Sequence, residues 1–150
     1  MERESDIIGI DMEKKKILVV DNEIEIVNTL KRLLEQKDFE VITALDAKGA
    51  LDRIENHRPS LIILDVMMPD VDGFSLCSMI KNDPRFCNIP IIIQTGIAQN
   101  TEYDEGYLKQ KTGADDFVRK PFDLKVLLLK INKLLLLAPL FLLATLLGTL

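Results

Sequence analysis

The chain has 150 residues, enough for one domain that buries about two-thirds of its unfolded surface. A composition of 47% hydrophobic and 29% charged residues fits a soluble globular protein, and 24 acidic against 19 basic residues leave a net charge of −5, which argues against a general nucleic-acid binder. Cys77 and Cys87 are the only cysteines and His57 the only histidine, so no cluster has zinc spacing, and the charged start lacks the apolar run of a secretory signal. The expected setting is cytoplasmic and reducing.

Residues 1–14 read as a polar leader with Ile7, Ile8 and Ile10 as its apolar content. Ile17-Leu18-Val19-Val20 is an all-apolar strand that stops at Asp21-Asn22-Glu23. The helix that follows gathers Ile24, Ile26, Val27, Leu30, Leu33 and Leu34 largely on one face, opposite Lys31, Arg32 and Glu35. Glu40 to Ala44 is a shorter strand with partial alternation, as expected nearer a sheet edge. Asp46 can cap a helix containing Ala47, Ala50, Leu51 and Ile54, with His57 solvated at its end.

Leu61-Ile62-Ile63-Leu64 reads as a strand buried on both faces, and it runs straight into Asp65. Pro69 and Gly73 impose a loop after it. An ionised carboxylate is costly to bury without a partner, so Asp65 is the first candidate for chemistry. A helix with Phe74, Leu76, Cys77, Met79 and Ile80 on its apolar face closes at Asn82-Asp83-Pro84 and makes Cys77 a core thiol. Ile91-Ile92-Ile93-Gln94 is a fourth strand ending at Thr95-Gly96. The polar stretch from Gln99 to Lys111 holds one weak helix with Tyr103, Tyr107 and Leu108, the least firmly held element expected. Gly113 to Arg119 brings in a fifth strand that ends at Lys120-Pro121-Phe122, and Asp123 caps a last helix through Leu134.

Five strand-then-helix repeats call for a parallel sheet with helices on both faces. Right-handed crossovers favour the strand order 2-1-3-4-5, which makes the first and third strands neighbours at the switch point. Asp21, Asn22 and Asp65 then share one pocket, with Thr95 and Lys120 delivered from adjacent strand ends. Oxygen-bearing side chains so placed suit a hard cation, Mg2+. Asp65 is the natural nucleophile for a phosphoryl group, and the Thr95 hydroxyl and Lys120 ammonium can neutralise its oxygens. Asp70 and Asp72 read as turn residues, and Asp115 and Asp116 as acids without a chemical role.

Over residues 15–135 the chain resembles the receiver domain of two-component response regulators, a single-domain, chemotaxis-type receiver with a flavodoxin-like fold. The resemblance is carried by Ile17 to Asp21, Leu64 to Gly73, Gln94-Thr95-Gly96 and Gly113 to Phe122, in that order and spacing. It implies that Asp65 takes phosphoryl from a sensor histidine kinase or a histidine phosphotransfer protein and switches binding of a downstream protein target. It implies no turnover enzyme. It also implies that the Met67 backbone carbonyl ligates Mg2+, that Thr95 and Phe117 form the switch, and that Lys120-Pro121 is a cis peptide; Phe117 also reads as plain core.

Three features depart from the family. Asn22 stands where a second metal-binding acid is usual, the stretch between Thr95 and Lys120 is slightly long, and the apolar tail, residues 136–150, is unusual. Leu134 to Leu150 has ten leucines and no charge over 17 positions. It reads as an extended last helix that self-associates into a homodimer or packs on the domain, as a membrane contact at the lower end of spanning length, or as a piece of a longer chain. A phosphorylation-independent interaction or dimerisation module (a pseudo-receiver) is the second reading, and Asn22 keeps it open. No DNA-binding or catalytic segment is recognisable, so output by protein contact, or by a region not present here, is expected. An Asp-nucleophile phosphatase is disfavoured because position 67 is Met, and a nucleotide or flavin binder because no Gly-rich turn follows the first strand.

Overall fold

The computed structural model describes residues 14–96 and 105–148. The elements are β1 (Lys16–Val20), α1 (Ile24–Glu35), β2 (Glu40–Ala44), α2 (Ala47–His57), β3 (Leu61–Asp65), α3 (Gly73–Asn82), β4 (Ile91–Thr95), α4 (Glu105–Thr112), β5 (Asp116–Arg119) and α5 (Leu124–Leu146). The strands form one parallel sheet in the order β2-β1-β3-β4-β5, the order expected from the alternation of apolar runs.

Side chains alternate across a strand with a period of two, and the sheet separates two cores accordingly. Leu18, Val20, Ile62, Leu64, Ile91 and Ile93 face one side and pack with Ala50 and Ile54 of α2 and Leu76, Cys77 and Ile80 of α3. Ile17, Val19, Leu61, Ile63 and Ile92 face the other and pack with Val27, Leu30 and Leu34 of α1 and Leu127 and Ile131 of α5. Helices on both faces explain why β3 and β4 read as unbroken apolar runs: every residue of both strands is buried. β2, at the edge, is buried only in part.

Carboxylates set the helix starts. Asp46 accepts from the Gly49 amide at 2.7 Å, and Asp72 from Ser75 at 2.9 Å. Asp70 is more than a turn residue: it reaches 3.0 Å to the Ala47 amide and 3.3 Å to that of Lys48, so the loop after β3 also caps α2. These donors and the positive end of the helix hold its carboxyl below the usual range. Asp115 and Asp116 have structural work as well. Asp115 accepts from the Ile91 amide at 2.8 Å and pairs with Lys81 at 2.7 Å, while Asp116 pairs with Lys130 of α5 at 2.8 Å.

Cys77 is buried, and desolvation pushes its thiol up to about 11, which fits an inert core group. His57 is exposed at the end of α2. The leader residues 1–13 and Tyr103 lie outside the described residues. α4, Glu105–Thr112, is the weak helix expected in the polar stretch, whose earlier residues lie outside the described ones. α5 does not end near Leu134 but continues across Pro139 to Leu146, because a leucine-rich segment keeps high helix propensity until Gly148, where φ of 72° ends it. Among the described residues no helix is long and apolar enough to cross a membrane.

Candidate functional site

The pocket sits at the carboxyl edge of the sheet, where β1 and β3 are neighbours and the chain leaves them in opposite directions. Val20 pairs with Leu64 in register, so Asp21 and Asp65 emerge side by side. Both are buried, at 0% and 2% exposure, because the apolar strands that carry them are covered on both faces. Lys120, one residue past β5, reaches back into this edge. Its Nζ lies 2.8 Å from Asp21 Oδ2 and 3.5 Å from Asp65 Oδ1.

Backbone geometry fixes that reach. The Lys120 amide donates to the Thr95 carbonyl at 2.8 Å, and the Lys120-Pro121 peptide is cis. Thr95 closes β4 and is itself buried. Phe117 is buried in the core on the α2 and α3 side, opposite Ile93 on β4. Asn22 and Met67 are both exposed at the pocket's solvent side.

One lysine faces two carboxylates, so the pocket keeps an excess of negative charge. Burial and then the neighbouring Asp21 charge raise the Asp65 pKa above its ordinary value, against partial relief from Lys120 and the Met67 amide. For Lys120, burial alone would lower the pKa. The hydrogen bond and charge of Asp21, joined by Asp65, outweigh burial and raise it.

Gln94 is the site residue that the sequence reading passed over. Its Nε2 donates to Asp21 Oδ2 at 3.3 Å, and its Oε1 is buried without a hydrogen-bond partner. The signal was present as a lone amide at the end of an Ile-Ile-Ile strand, where a polar side chain on an all-buried element needs a reason. Asp21 Oδ1 accepts from the Glu23 amide at 2.9 Å, so Asp21 is held by three donors.

The donor set can be tested for a cation on this geometry. Among the described residues no three His, Cys, Asp or Glu side chains converge. Two buried carboxylates with unbalanced charge, flanked by an exposed amide and backbone carbonyls, form an oxygen-only set that fits a hard ion such as Mg2+. Asp21, Asp65, Asn22 and the Met67 carbonyl could hold it.

A doubly wound parallel domain with a lysine-bridged pair of buried carboxylates at its switch point defines the class. The chain belongs to the response regulator receiver domain family, whose model matches residues 17–132. It is 43% identical over 108 residues to the alkaline phosphatase synthesis transcriptional regulatory protein PhoP of Bacillus subtilis, covering 72% of this chain and 43% of that protein. It is 40% identical over 125 residues to the probable transcriptional regulator ycf27 of Cyanophora paradoxa, covering 83% and 50%. The chain thus spans about half the length of these relatives. Among solved structures it resembles the CheY-like receiver domain protein of Methanospirillum hungatei, with a TM-score of 0.75, 29% identity, and coverage of 84% of this chain and 97% of that one.

Proposed function

We propose that Asp65 accepts a phosphoryl group from the phosphohistidine of a sensor histidine kinase or a histidine phosphotransfer protein, and that its occupancy switches binding of a downstream protein. The observation that supports this most is Asp65 itself, buried beside Asp21 and sharing one lysine with it. A carboxylate oxygen of Asp65 attacks phosphorus, the P–N bond breaks, and the imidazole nitrogen leaves with the electron pair and takes a proton. No protein base is needed, because an ionised carboxylate is itself the nucleophile.

Lys120 lies where it can balance the charge gathering on the phosphoryl oxygens, and Thr95 contributes a hydroxyl at the neighbouring strand end. Mg2+, held by Asp21, Asn22, Asp65 and the Met67 carbonyl, would supply further charge neutralisation there. Thr95 and Phe117 carry the response, biasing two packings of the face around α4 and β5. The domain acts as an acceptor and not as a turnover enzyme. We place it in the cytoplasm and assign its output to protein contact, consistent with a net charge of −5.

Incubation with acetyl phosphate and Mg2+ tests this by intact mass. The expected result is a gain of one phosphoryl group that is absent from Asp65→Ala; an unmodified wild-type chain overturns the proposal. Asn22 favours a second reading, a phosphorylation-independent interaction module, because it removes one negative charge from the ligand set. Asn22→Asp is expected to tighten Mg2+ binding on the order of tenfold, about 1.4 kcal/mol. Equal affinities in a metal titration would show that the amide costs the site nothing.

A further inference from the structure

We propose that Gln94 is a positioning residue for phosphoryl transfer: its amide keeps hold of the Asp21 carboxylate, which frees Lys120 to turn to the phosphoryl group. This role presupposes Asp65 as the acceptor. Neighbouring strands contribute one row of polar side chains. Asp21 follows Val20, which pairs with Leu64, and Asp65 pairs in register with Gln94. The ends of β1, β3 and β4 therefore carry Asp21, Asp65 and Gln94 side by side. Asp65 stands two residues beyond Ile63 and Gln94 two beyond Ile92, so strand alternation sends both to the α1 and α5 side. The whole row is buried, Gln94 at 1% exposure.

Gln94 carries a cost, and its bond to Asp21 is what offsets it. β4 is isoleucine up to this point, and an apolar side chain would bury here with no polar atom to satisfy. The amide instead leaves Oε1 buried without a hydrogen-bond partner, which is destabilising. In return Nε2 donates to Asp21 Oδ2 at 3.3 Å. A side chain satisfied at one end and orphaned at the other is kept for the end that is satisfied.

The oxygen that Gln94 holds is the one that Lys120 holds. Lys120 Nζ sits 2.8 Å from Asp21 Oδ2 and 3.5 Å from Asp65 Oδ1, so one ammonium is divided between two carboxylates. When charge gathers on a phosphoryl group at Asp65, Lys120 has to give up Asp21 to meet it. Asp21 Oδ1 keeps the Glu23 amide at 2.9 Å, but Oδ2 would be left bare on a side chain with no exposure to water. Gln94 prevents that, because its amide stays on Oδ2 from a fixed position at the end of a strand. A neutral donor suits the task. It lowers the cost of the lysine's departure without adding a second positive charge to the pocket.

Gln94→Met keeps the length of the side chain and removes both polar atoms, and two measurements on the full chain separate positioning from plain packing. The first needs neither metal nor phosphoryl donor. In thermal melts Gln94→Met alone is expected within about 2 °C of wild type, because removal of the orphaned carbonyl offsets the lost bond. In a Lys120→Met background Gln94 is the remaining side-chain donor to Oδ2. There the same substitution is expected to lower the melting temperature further, by at least about 4 °C. A double variant with no folded transition, beside two folded single variants, is the same result in stronger form. The second measurement follows phosphoryl uptake from acetyl phosphate by intact mass at saturating Mg2+. Gln94→Met is expected to be slower by at least about fivefold, since Lys120 is then held more tightly by Asp21, with an unchanged circular dichroism spectrum. Gln94→Leu repeats both measurements, so the result does not hang on how one side chain packs. Equal melting shifts in the two backgrounds, or uptake at the wild-type rate, overturns the proposal. A wild-type chain that takes no phosphoryl group removes the acceptor reading itself, whereas wild-type uptake matched by Gln94→Met removes this role alone.

Discussion

Gly73→Ala is expected to destabilise the domain by about 3 kcal/mol or more, lowering the melting temperature by roughly 6–12 °C, and to abolish phosphoryl uptake at Asp65. The reason lies in what a methyl group would meet. A Cβ at position 73 overlaps the Asp65 carbonyl oxygen, lies 2.5 Å from Val66 Cα and 2.9 Å from the Asp65 carbonyl carbon. All three are backbone atoms of the Asp65-Val66 segment, so no side-chain rotation relieves the contact. Pulling position 73 away would break the hydrogen bond that its N–H donates to the Val66 carbonyl at 3.0 Å and shift the Asp72 cap of α3. Helix propensity alone gives the opposite sign, since alanine normally stabilises a helix over glycine by about 1 kcal/mol. The direction of the change therefore identifies its cause. Gly96→Ala serves as the control: a Cβ there has nothing within 4 Å and is expected to stay within about 0.5 kcal/mol of wild type. Thermal melts of the three proteins, with intact mass after acetyl phosphate, check both halves.

The sheet was legible because its strands are buried on both faces. A run such as Leu61 to Leu64 admits few other readings once it is bounded by Pro59-Ser60 and an Asp, and the same holds for Ile17 to Val20 and Ile91 to Ile93. The convergence of Asp21, Asp65 and Lys120 followed from topology, since parallel order sends every strand's carboxyl end to one edge. Contacts made at a distance along the chain were harder to read. Asp70 looks like a turn residue from its neighbours, and only the fold brings it to the start of α2, 23 positions away. Gln94 was visible as an odd polar residue, yet its partner is Asp21, 73 positions away. The length of α5 stayed open for a different reason. A proline is a strong local stop signal, and the leucines on either side of Pro139 outweigh it.

Removal of Lys120 is the second large effect expected. Lys120→Met should cost about 3 kcal/mol of stability at neutral pH, because it leaves Asp21 and Asp65 buried, adjacent and without a cation. The pH dependence gives the sign check. The Lys120 pKa is raised in the fold, so its contribution is complete below the ordinary lysine range and is lost as pH rises through the folded value. The Asp65 pKa is raised as well, which makes its charge a burden on the folded state. That burden is full above the folded pKa and vanishes once pH falls below the unfolded carboxylate value. Without Lys120 the Asp65 carboxyl loses its main relief and titrates higher still. The deficit of Lys120→Met should therefore be largest near pH 7 and shrink as the pH is lowered towards 4. Adding Asp65→Asn should recover part of the loss at neutral pH and none of it in acid, since the amide removes a charge that acid has already neutralised. Denaturant melts of the single and double variants between pH 4 and 8 measure this coupling. A deficit independent of pH would mean that the lysine stem, and not its charge, holds the sheet edge together.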